Sequence, residues 1–207
     1  MDETGLDAAM DRYACGDASA FAVLHRALLP RLRAFLTRMT GSPTLADDLV
    51  QETFLRMHRA RATFVAGGAV LPWAYAIARN VHLDHGRSAR LRKTERFPSD
   101  PGAEPEDPAA TDAESAAIAA EAARTVERVL ARLPPAQREA FVLIRYEGMS
   151  VQDAAAILGA TPTAVKLRAF RAYEALRAEL AELRGVGTSV TTSASAGQGK
   201  GGSDGHA

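Results

Sequence analysis

Cysteine is almost absent from this chain, since Cys15 is the only one among 207 residues. A single cysteine excludes an intrachain disulfide and any metal site built from several cysteines. The apolar runs are also far shorter than the roughly 20 residues that a helix needs to cross a bilayer. The first residues, MDETGLDAAMDRYA, are acidic and lack the apolar core of a signal peptide. These absences predict a soluble, cytoplasmic protein that is not inserted in a membrane.

Strand signals are missing as well. Regular alternation of apolar and polar residues is absent, and the helix formers Ala, Leu, Arg and Glu dominate. A stretch at 97–115 is instead rich in Pro, Asp, Glu and Ala, a composition typical of extended, disordered linkers. The sequence therefore predicts an all-α fold of two small helical domains joined by a flexible acidic linker.

This division gives five segments. We expect an N-terminal segment at 1–15, a helical domain at 16–93, the linker at 94–114, a second helical domain at 115–184 and a disordered Gly/Ser-rich tail at 185–207. Within the first domain, Pro30 is expected to begin a new helix or to kink the one that holds it.

Charge is segregated along the chain although the formal net charge is zero. The segment 16–93 holds 12 basic and 5 acidic residues, a net +7, whereas 94–123 holds 1 and 8, a net −7. The segment 124–184 is again basic, with 10 against 7. Two basic blocks favour a polyanionic partner such as nucleic acid, although solvated helix faces would give the same counts.

The stretch SVQDAAAILGATPTAVKLRAFRAYEAL (150–176) predicts two helices that meet at a tight corner. Ser150 is a good N-cap, and Gly159 suits the left-handed position that closes a helix. Thr161 can cap the next helix, with Pro162 at its first position. This spacing is typical of a helix-turn-helix.

In a helix-turn-helix the start of the second helix enters the major groove of DNA. Its side chains can reach guanine edges, phosphates or thymine methyl groups there. The candidate DNA-contacting residues are Thr163, Lys166, Leu167, Arg168, Phe170 and Arg171. A helical hairpin with a charged outer face is the structural alternative. Exposed Leu167 and Phe170 suit either thymine contact or a protein partner.

Two features mark the first domain. Asp47, Asp48, Gln51 and Glu52 share one side of a predicted helix, which suits a basic partner surface or a solvated face.

In LPWAYAIARNVHLDHGRSARLRK (71–93), Trp73, Asn80, Asp84 and Arg87 form a stripe, and Arg79 adds positive charge. Aromatic, amide and cationic groups together are typical of single-stranded DNA binding. Trp73 by itself would equally suit a core position.

These motifs, in this order, resemble the extracytoplasmic-function (ECF) sigma factors of bacterial RNA polymerase. The resemblance rests on ADDLVQETFLRMHRAR, a loop with Phe64, LPWAYAIARNVHLDH, and LPPAQREAFVLIRYEGMSVQDAAAILGATPTAVKLRAFRAYEALR. It covers both helical domains, about 70% of the chain. It implies a sigma domain 2 and a sigma domain 4, with no catalytic activity, no metal and no cofactor.

The resemblance also implies partners and sites. The predicted helix that carries Asp47, Asp48, Gln51 and Glu52 would dock on the clamp coiled coil of the polymerase's largest subunit. The chain would also contact the flap of the second-largest subunit. Phe64 in the 62–71 loop, with Trp73 and Asn80 behind it, would hold a base flipped from the −10 element, and Arg79 and Arg87 would add DNA contacts. The helix after Thr161 would read the −35 element. An anti-sigma factor would control the chain.

The match has departures. Thr163-Ala164, Leu167 and Phe170 differ from the usual family residues, so the family's −35 sequence does not transfer, and Gly67-Gly68 leave the identity of the flipped base open.

The linker can span about 65 Å when extended at ~3.4 Å per residue. We hypothesise that its carboxylates run through the polymerase's RNA path as phosphate mimics, the alternative being an ordinary solvated linker.

Two other functions remain open from the residues alone. One is a stand-alone helix-turn-helix regulator whose first domain senses a ligand or dimerises. The other is a small enzyme that uses His82, Asp84 and His85. Against a metal site, Asp84 points roughly 160° away from His82 around a helix, so the three side chains do not converge.

Overall fold

The computed structural model describes residues 3–93 and 113–190, with side chains for 4–89 and 123–181. Within these ranges it contains α-helices, one short 3-10 turn and no strand. The helices are α1 (Glu3–Ala14), α2 (Ala20–Thr40), α3 (Pro43–Ala60), α4 (Val70–Lys93), α5 (Ala113–Arg132), α6 (Pro135–Arg145), α7 (Val151–Leu158) and α8 (Pro162–Val190), with the turn at Arg61–Thr63. The all-α expectation is confirmed. Residues 94–112 of the expected linker and 191–207 of the expected tail lie outside the described residues.

The first helical body forms around α2. Leu24, Leu28, Leu32 and Leu36 recur every four residues along this helix and are buried. Each such leucine contributes about 2 kcal/mol when removed from water. Helix α2 continues through Pro30, which therefore does not begin a new helix. Pro30 lies on the exposed side, and the buried leucines before and after it hold both halves of the helix in one core.

Helix α1 completes this body from a segment in which the sequence predicted no helix. Leu6, Ala9, Met10 and Tyr13 follow the i, i+3, i+4, i+7 pattern and are buried. Helix α1 therefore belongs to the core of the first domain.

The second helical body comprises α5 to α8. Leu130, Leu133 and Phe141 pack with Ala172 and Leu176 in its own apolar cluster. Helix α8 runs to Val190, past residue 184, where the sequence predicted the tail to begin. Gly185 and Gly187 each weaken a helix by about 1 kcal/mol, but neither forces it to end.

The two bodies are packed against each other. Helix α4 contacts α7, and α2 contacts α5 and α6. The main apolar cluster continues from α1–α4 into α6, α7 and the start of α8, so the two domains share a core. This closed arrangement joins segments that are far apart along the chain.

Polar contacts cross the same junction. Arg79 Nε donates to Glu139 Oε2 at 2.9 Å, and Arg138 Nη1 donates to the Met39 carbonyl at 3.1 Å. The hydroxyl of Tyr75 donates to the carboxylate of Glu147.

Burial is the largest cause of the pKa shifts of two groups at or near this junction. It raises the pKa of Glu147 and lowers the pKa of His82, because their charged forms lose water. The junction is therefore a desolvated interface at which some polar atoms are paired, whereas Arg138 Nε and His82 Nδ1 are buried without a hydrogen-bond partner among the described residues.

Candidate nucleic-acid and protein interfaces

The corner between α7 and α8 has the geometry that the sequence predicts. Ser150 Oγ accepts a hydrogen bond from the Asp153 N–H at 3.1 Å. Gly159 ends α7 in the left-handed region, at φ 60° and ψ 41°. Thr161 Oγ1 accepts from the Ala164 N–H at 3.2 Å, and Pro162 begins α8. The structure therefore contains the helix-turn-helix.

Helix α8 separates a buried face from an outward face. Val165 and Ala172 are fully buried, whereas Thr163, Lys166, Leu167, Phe170 and Arg171 are exposed; Arg168 is half-buried at the edge of the outward face. The structure thus brings the candidate −35 residues together on one surface. It adds exposed Tyr173 to the same side, a residue that its helical spacing from Phe170 would have identified.

The loop between α3 and α4 presents an aromatic pair. The rings of Phe64 and Trp73 pack edge to face, with centroids 5.3 Å apart. Asn80 is exposed two helical turns beyond Trp73, on the same side of α4. Both rings are half-buried against the core, so each keeps part of its surface open to solvent.

Hydrogen bonds from the loop backbone to carboxylates of α1 fix this loop. The backbone N–H of Gly67 donates to Asp11 Oδ1 at 3.0 Å, and the N–H of Val70 donates to Asp7 Oδ1 at 2.8 Å. Asp7 therefore caps the start of α4, where the helix dipole favours a carboxylate. A Cβ on Gly68 would lie 2.8 Å from the Val65 carbonyl oxygen, so a side chain there would displace the loop backbone.

The structure does not bring Arg79 and Arg87 to the aromatic pair. Arg79 turns towards the second body, where it pairs with Glu139 and approaches the Ile157 carbonyl at 3.4 Å. Arg87 is largely exposed and donates to Asp84. These two candidate −10 residues therefore make other contacts in the closed arrangement.

The carboxylate side of α3 is partly neutralised by arginines. Asp47 pairs with Arg33 at 2.6 Å, and Glu52 pairs with Arg56 at 2.8 Å. The hydrogen bond from Arg33 lowers the pKa of Asp47 below its ordinary range. Asp48 and Gln51 are exposed.

Leu55 follows on the same side of α3 and is 42% exposed. Its helical spacing from Gln51 and Glu52 was a signal for this surface, which therefore combines carboxylates with an apolar side chain. We call Asp47, Asp48, Gln51, Glu52 and Leu55 the α3 surface.

In the His82–Asp84–His85 region, two arginines donate hydrogen bonds to Asp84. Asp84 Oδ2 accepts from Arg56 at 2.6 Å, and Asp84 Oδ1 accepts from Arg87. These hydrogen bonds lower the pKa of Asp84. Among the described residues, no group of three or more His, Cys, Asp or Glu side chains is placed to hold a metal ion. No helix in the described ranges is long and apolar enough to span a membrane.

Comparison with known proteins decides the family. Residues 24–92 match the model of Sigma-70 region 2, and residues 123–176 match that of Sigma-70 region 4. The chain is 38% identical over 177 residues to the RNA polymerase sigma factor CarQ of Myxococcus xanthus, covering 84% of this chain and 97% of CarQ. It is 35% identical over 181 residues to the ECF sigma factor SigF of Caulobacter vibrioides, covering 84% and 93%.

The chain belongs to the ECF sigma factors of the sigma-70 family. It is accordingly a transcription initiation factor and not an enzyme. The region 2 match contains the α3 surface and the aromatic loop, and the region 4 match contains the helix-turn-helix. Helix α1 lies outside both matches.

Two solved structures, one of them of a sigma factor, share the fold. The sigma factor RpoE, in complex with the anti-sigma factor NepR from Bartonella quintana, aligns with a TM-score of 0.63 at 29% identity over 77% of this chain and 96% of RpoE. CnrH, in complex with the cytosolic domain of CnrY, aligns with a TM-score of 0.60 at 26% identity over 85% and 97%. Both neighbours were solved with a protein partner bound.

Proposed function

We propose that this sigma factor directs core RNA polymerase to promoters through three surfaces on its two helical bodies. The observation that carries the proposal is the aromatic loop on one body together with an exposed recognition helix on the other. Melted promoter DNA is bound by stacking on aromatic rings, which the first body supplies. Duplex promoter DNA is read by a helix in the major groove, which the second body supplies. The cytoplasm, where bacterial transcription takes place, is the compartment that we propose.

The α3 surface is the proposed dock for the clamp coiled coil of the largest polymerase subunit. Asp48 and Gln51 are exposed and polar. Leu55 lies one helical turn after Gln51 and offers an exposed apolar side chain to the partner. Interfaces gain most from a desolvated apolar anchor surrounded by polar contacts. Asp47 and Glu52 would exchange their arginine partners for basic groups of the clamp. We place a second contact, with the flap of the second-largest subunit, on the second body.

The aromatic loop is the proposed site for a base flipped from the −10 element. Phe64 and Trp73 offer ring faces and edges for stacking, and Asn80 offers a donor and an acceptor for a base edge. Capturing a flipped base offsets an unstacking energy of a few kcal/mol. Arg79 and Arg87 would bind phosphates once their present carboxylate partners are exchanged.

The outward face of α8 is the proposed reader of the −35 element. Thr163, Lys166 and Arg171 can donate to base edges or phosphates in the major groove, and Arg168 can reach phosphates at its edge. The apolar members of this face are treated separately below.

Promoter binding requires the two bodies to separate. The closed arrangement buries Arg79 against Glu139, and the −10 and −35 elements occupy different positions along DNA. We propose that 94–112 spans this gap as an acidic linker, with 191–207 as a tail. An anti-sigma factor, such as the NepR bound to RpoE, would keep the chain from polymerase.

Runoff transcription with purified core polymerase tests the proposal. We expect the chain to co-elute with core enzyme and to produce transcripts from promoters that core enzyme ignores. Electrophoretic mobility shift of the same promoter duplex with the chain alone should give weak binding. A chain that shifts duplex DNA tightly by itself, and yields no transcript with core enzyme, would instead be a stand-alone helix-turn-helix regulator.

A further inference from the structure

Two large apolar side chains occupy the centre of the DNA-facing surface of α8. Leu167 is 48% exposed and Phe170 is 59% exposed, although an apolar core lies on the other side of the same helix. Phe170 lies nearly opposite the fully buried Ala172 around the helix axis. Exposed large apolar groups on a functional face indicate a contact made only in a complex.

The surrounding charge identifies the occupant as DNA. Lys166, Arg168 and Arg171 surround the two apolar side chains, and the first acidic residue of α8 is Glu174. The beginning of a helix also carries partial positive charge from its free N–H groups. A cationic rim around an apolar centre is complementary to a major groove whose phosphates lie on either side.

The major groove contains a single apolar group, the C5-methyl of thymine. Leucine and phenylalanine have no hydrogen-bonding groups, so guanine, cytosine and adenine edges beneath them would lose water without gaining a partner. The chemistry of this face therefore selects thymine.

The spacing on the helix sets the spacing on the DNA. Leu167 and Phe170 are three residues apart, which is about 4.5 Å along an α-helix. Base pairs are stacked ~3.4 Å apart, so the two side chains meet neighbouring base pairs. We propose that Leu167 and Phe170 contact the C5-methyl groups of thymines in two neighbouring A·T pairs of the −35 element. This inference rests on the proposed function.

The test replaces thymine with deoxyuridine, which removes the methyl group and keeps every hydrogen bond. Holoenzyme assembled from core polymerase and the full chain first selects −35 elements from a library of randomised duplexes by runoff transcription. Each selected thymine is then replaced singly. We expect two neighbouring positions at which the replacement weakens promoter binding about fourfold, the effect of one buried methyl group.

Side-chain variants connect each position to its residue. Leu167→Ala should abolish the thymine preference at one of the two positions, and Phe170→Ala at the other. Leu29→Ala is the matched control, because Leu29 is also an exposed leucine but lies on α2, outside the DNA-facing surface of α8. It should leave both preferences unchanged.

Three results would overturn the inference. These are selected elements without neighbouring A·T pairs, equal binding of thymine and uracil templates by the unmodified chain, or alanine variants that lose a protein partner while keeping both preferences. The last result would assign this face to protein contact. If transcripts form but uracil has no effect, only the thymine contact fails; if the chain directs no transcription, the proposed function fails as well.

Discussion

At the scale of single residues, the α3 surface depends on side chains that the fold itself does not require. Leu55 is 42% exposed and contributes little to the core, so its truncation separates binding from folding. We expect Leu55→Ala to weaken core-polymerase binding about tenfold, or ~1.4 kcal/mol, as for an anchor residue at an interface. Fluorescence titration with core enzyme measures this effect.

The matched control for Leu55 is Leu29→Ala. Leu29 is exposed to a similar extent in the same body, but it lies on α2. Both variants should unfold within about 0.5 kcal/mol of the unmodified chain, as surface substitutions do. Equal affinities of both variants for core enzyme would remove the α3 surface from the polymerase contact.

Gly159 controls the helix-turn-helix corner through its backbone. Its φ of +60° is available to glycine but strains a residue with a Cβ, even though the space around it is open. We expect Gly159→Ala to lower the free energy of unfolding by about 1 kcal/mol. Gly86, inside α4, also has open space but no positive φ, so Gly86→Ala should raise stability by about 0.5–1 kcal/mol. Urea denaturation compares the two, and a stabilising Gly159→Ala would contradict the left-handed corner.

At the scale of helices, local signals account for what the sequence predicts well. Ser150, Gly159 and Thr161 form their capping hydrogen bonds within four residues of their own positions, so the corner follows from the sequence. Helix α1 was missed although its 12 residues carry an apolar stripe from Leu6 to Tyr13, because that stripe spans only about two helical turns. Leu55 fits an apolar pattern on α3. Neighbouring helices decide whether that side of α3 is buried, so the exposure of Leu55 does not follow from the pattern. The approach of Arg79 to Glu139 joins residues 60 positions apart, which no local pattern reports.

Helix α1 has a testable effect on the aromatic loop. Asp7 and Asp11 accept hydrogen bonds from the N–H groups of Val70 and Gly67, so α1 holds the loop that carries Phe64. We expect Asp7→Ala with Asp11→Ala to destabilise the first body by about 1–2 kcal/mol, the cost of losing a cap and its acceptor. Promoter melting, measured by permanganate reactivity of unpaired thymines, should fall while −35 binding is retained.

The corresponding asparagine variants are the control for this pair. Asparagine keeps an acceptor oxygen at nearly the same place, so it should restore much of the melting that alanine removes. If alanine and asparagine variants melt promoters as well as the unmodified chain, the loop does not depend on α1.

At the scale of the whole molecule, the closed arrangement should compete with the proposed binding of polymerase and promoter. The Arg79–Glu139 pair is largely buried, with side-chain exposures of 20% and 7%, and Glu139 belongs to the second body whereas Arg79 belongs to the first. A protein whose binding-competent state is a minor population binds its partner more weakly in proportion to that population. Opening the junction should therefore strengthen apparent polymerase binding.

Glu139→Gln tests this competition. Removing one partner of a buried ion pair leaves the arginine uncompensated, at a cost of about 3–5 kcal/mol to the state that contains the pair. We expect a larger radius of gyration by small-angle X-ray scattering and at least tenfold tighter apparent binding to core polymerase. Glu174→Gln, an exposed carboxylate on α8, should change neither quantity. An unchanged radius of gyration with unchanged affinity for Glu139→Gln would show that this pair does not hold the two bodies together.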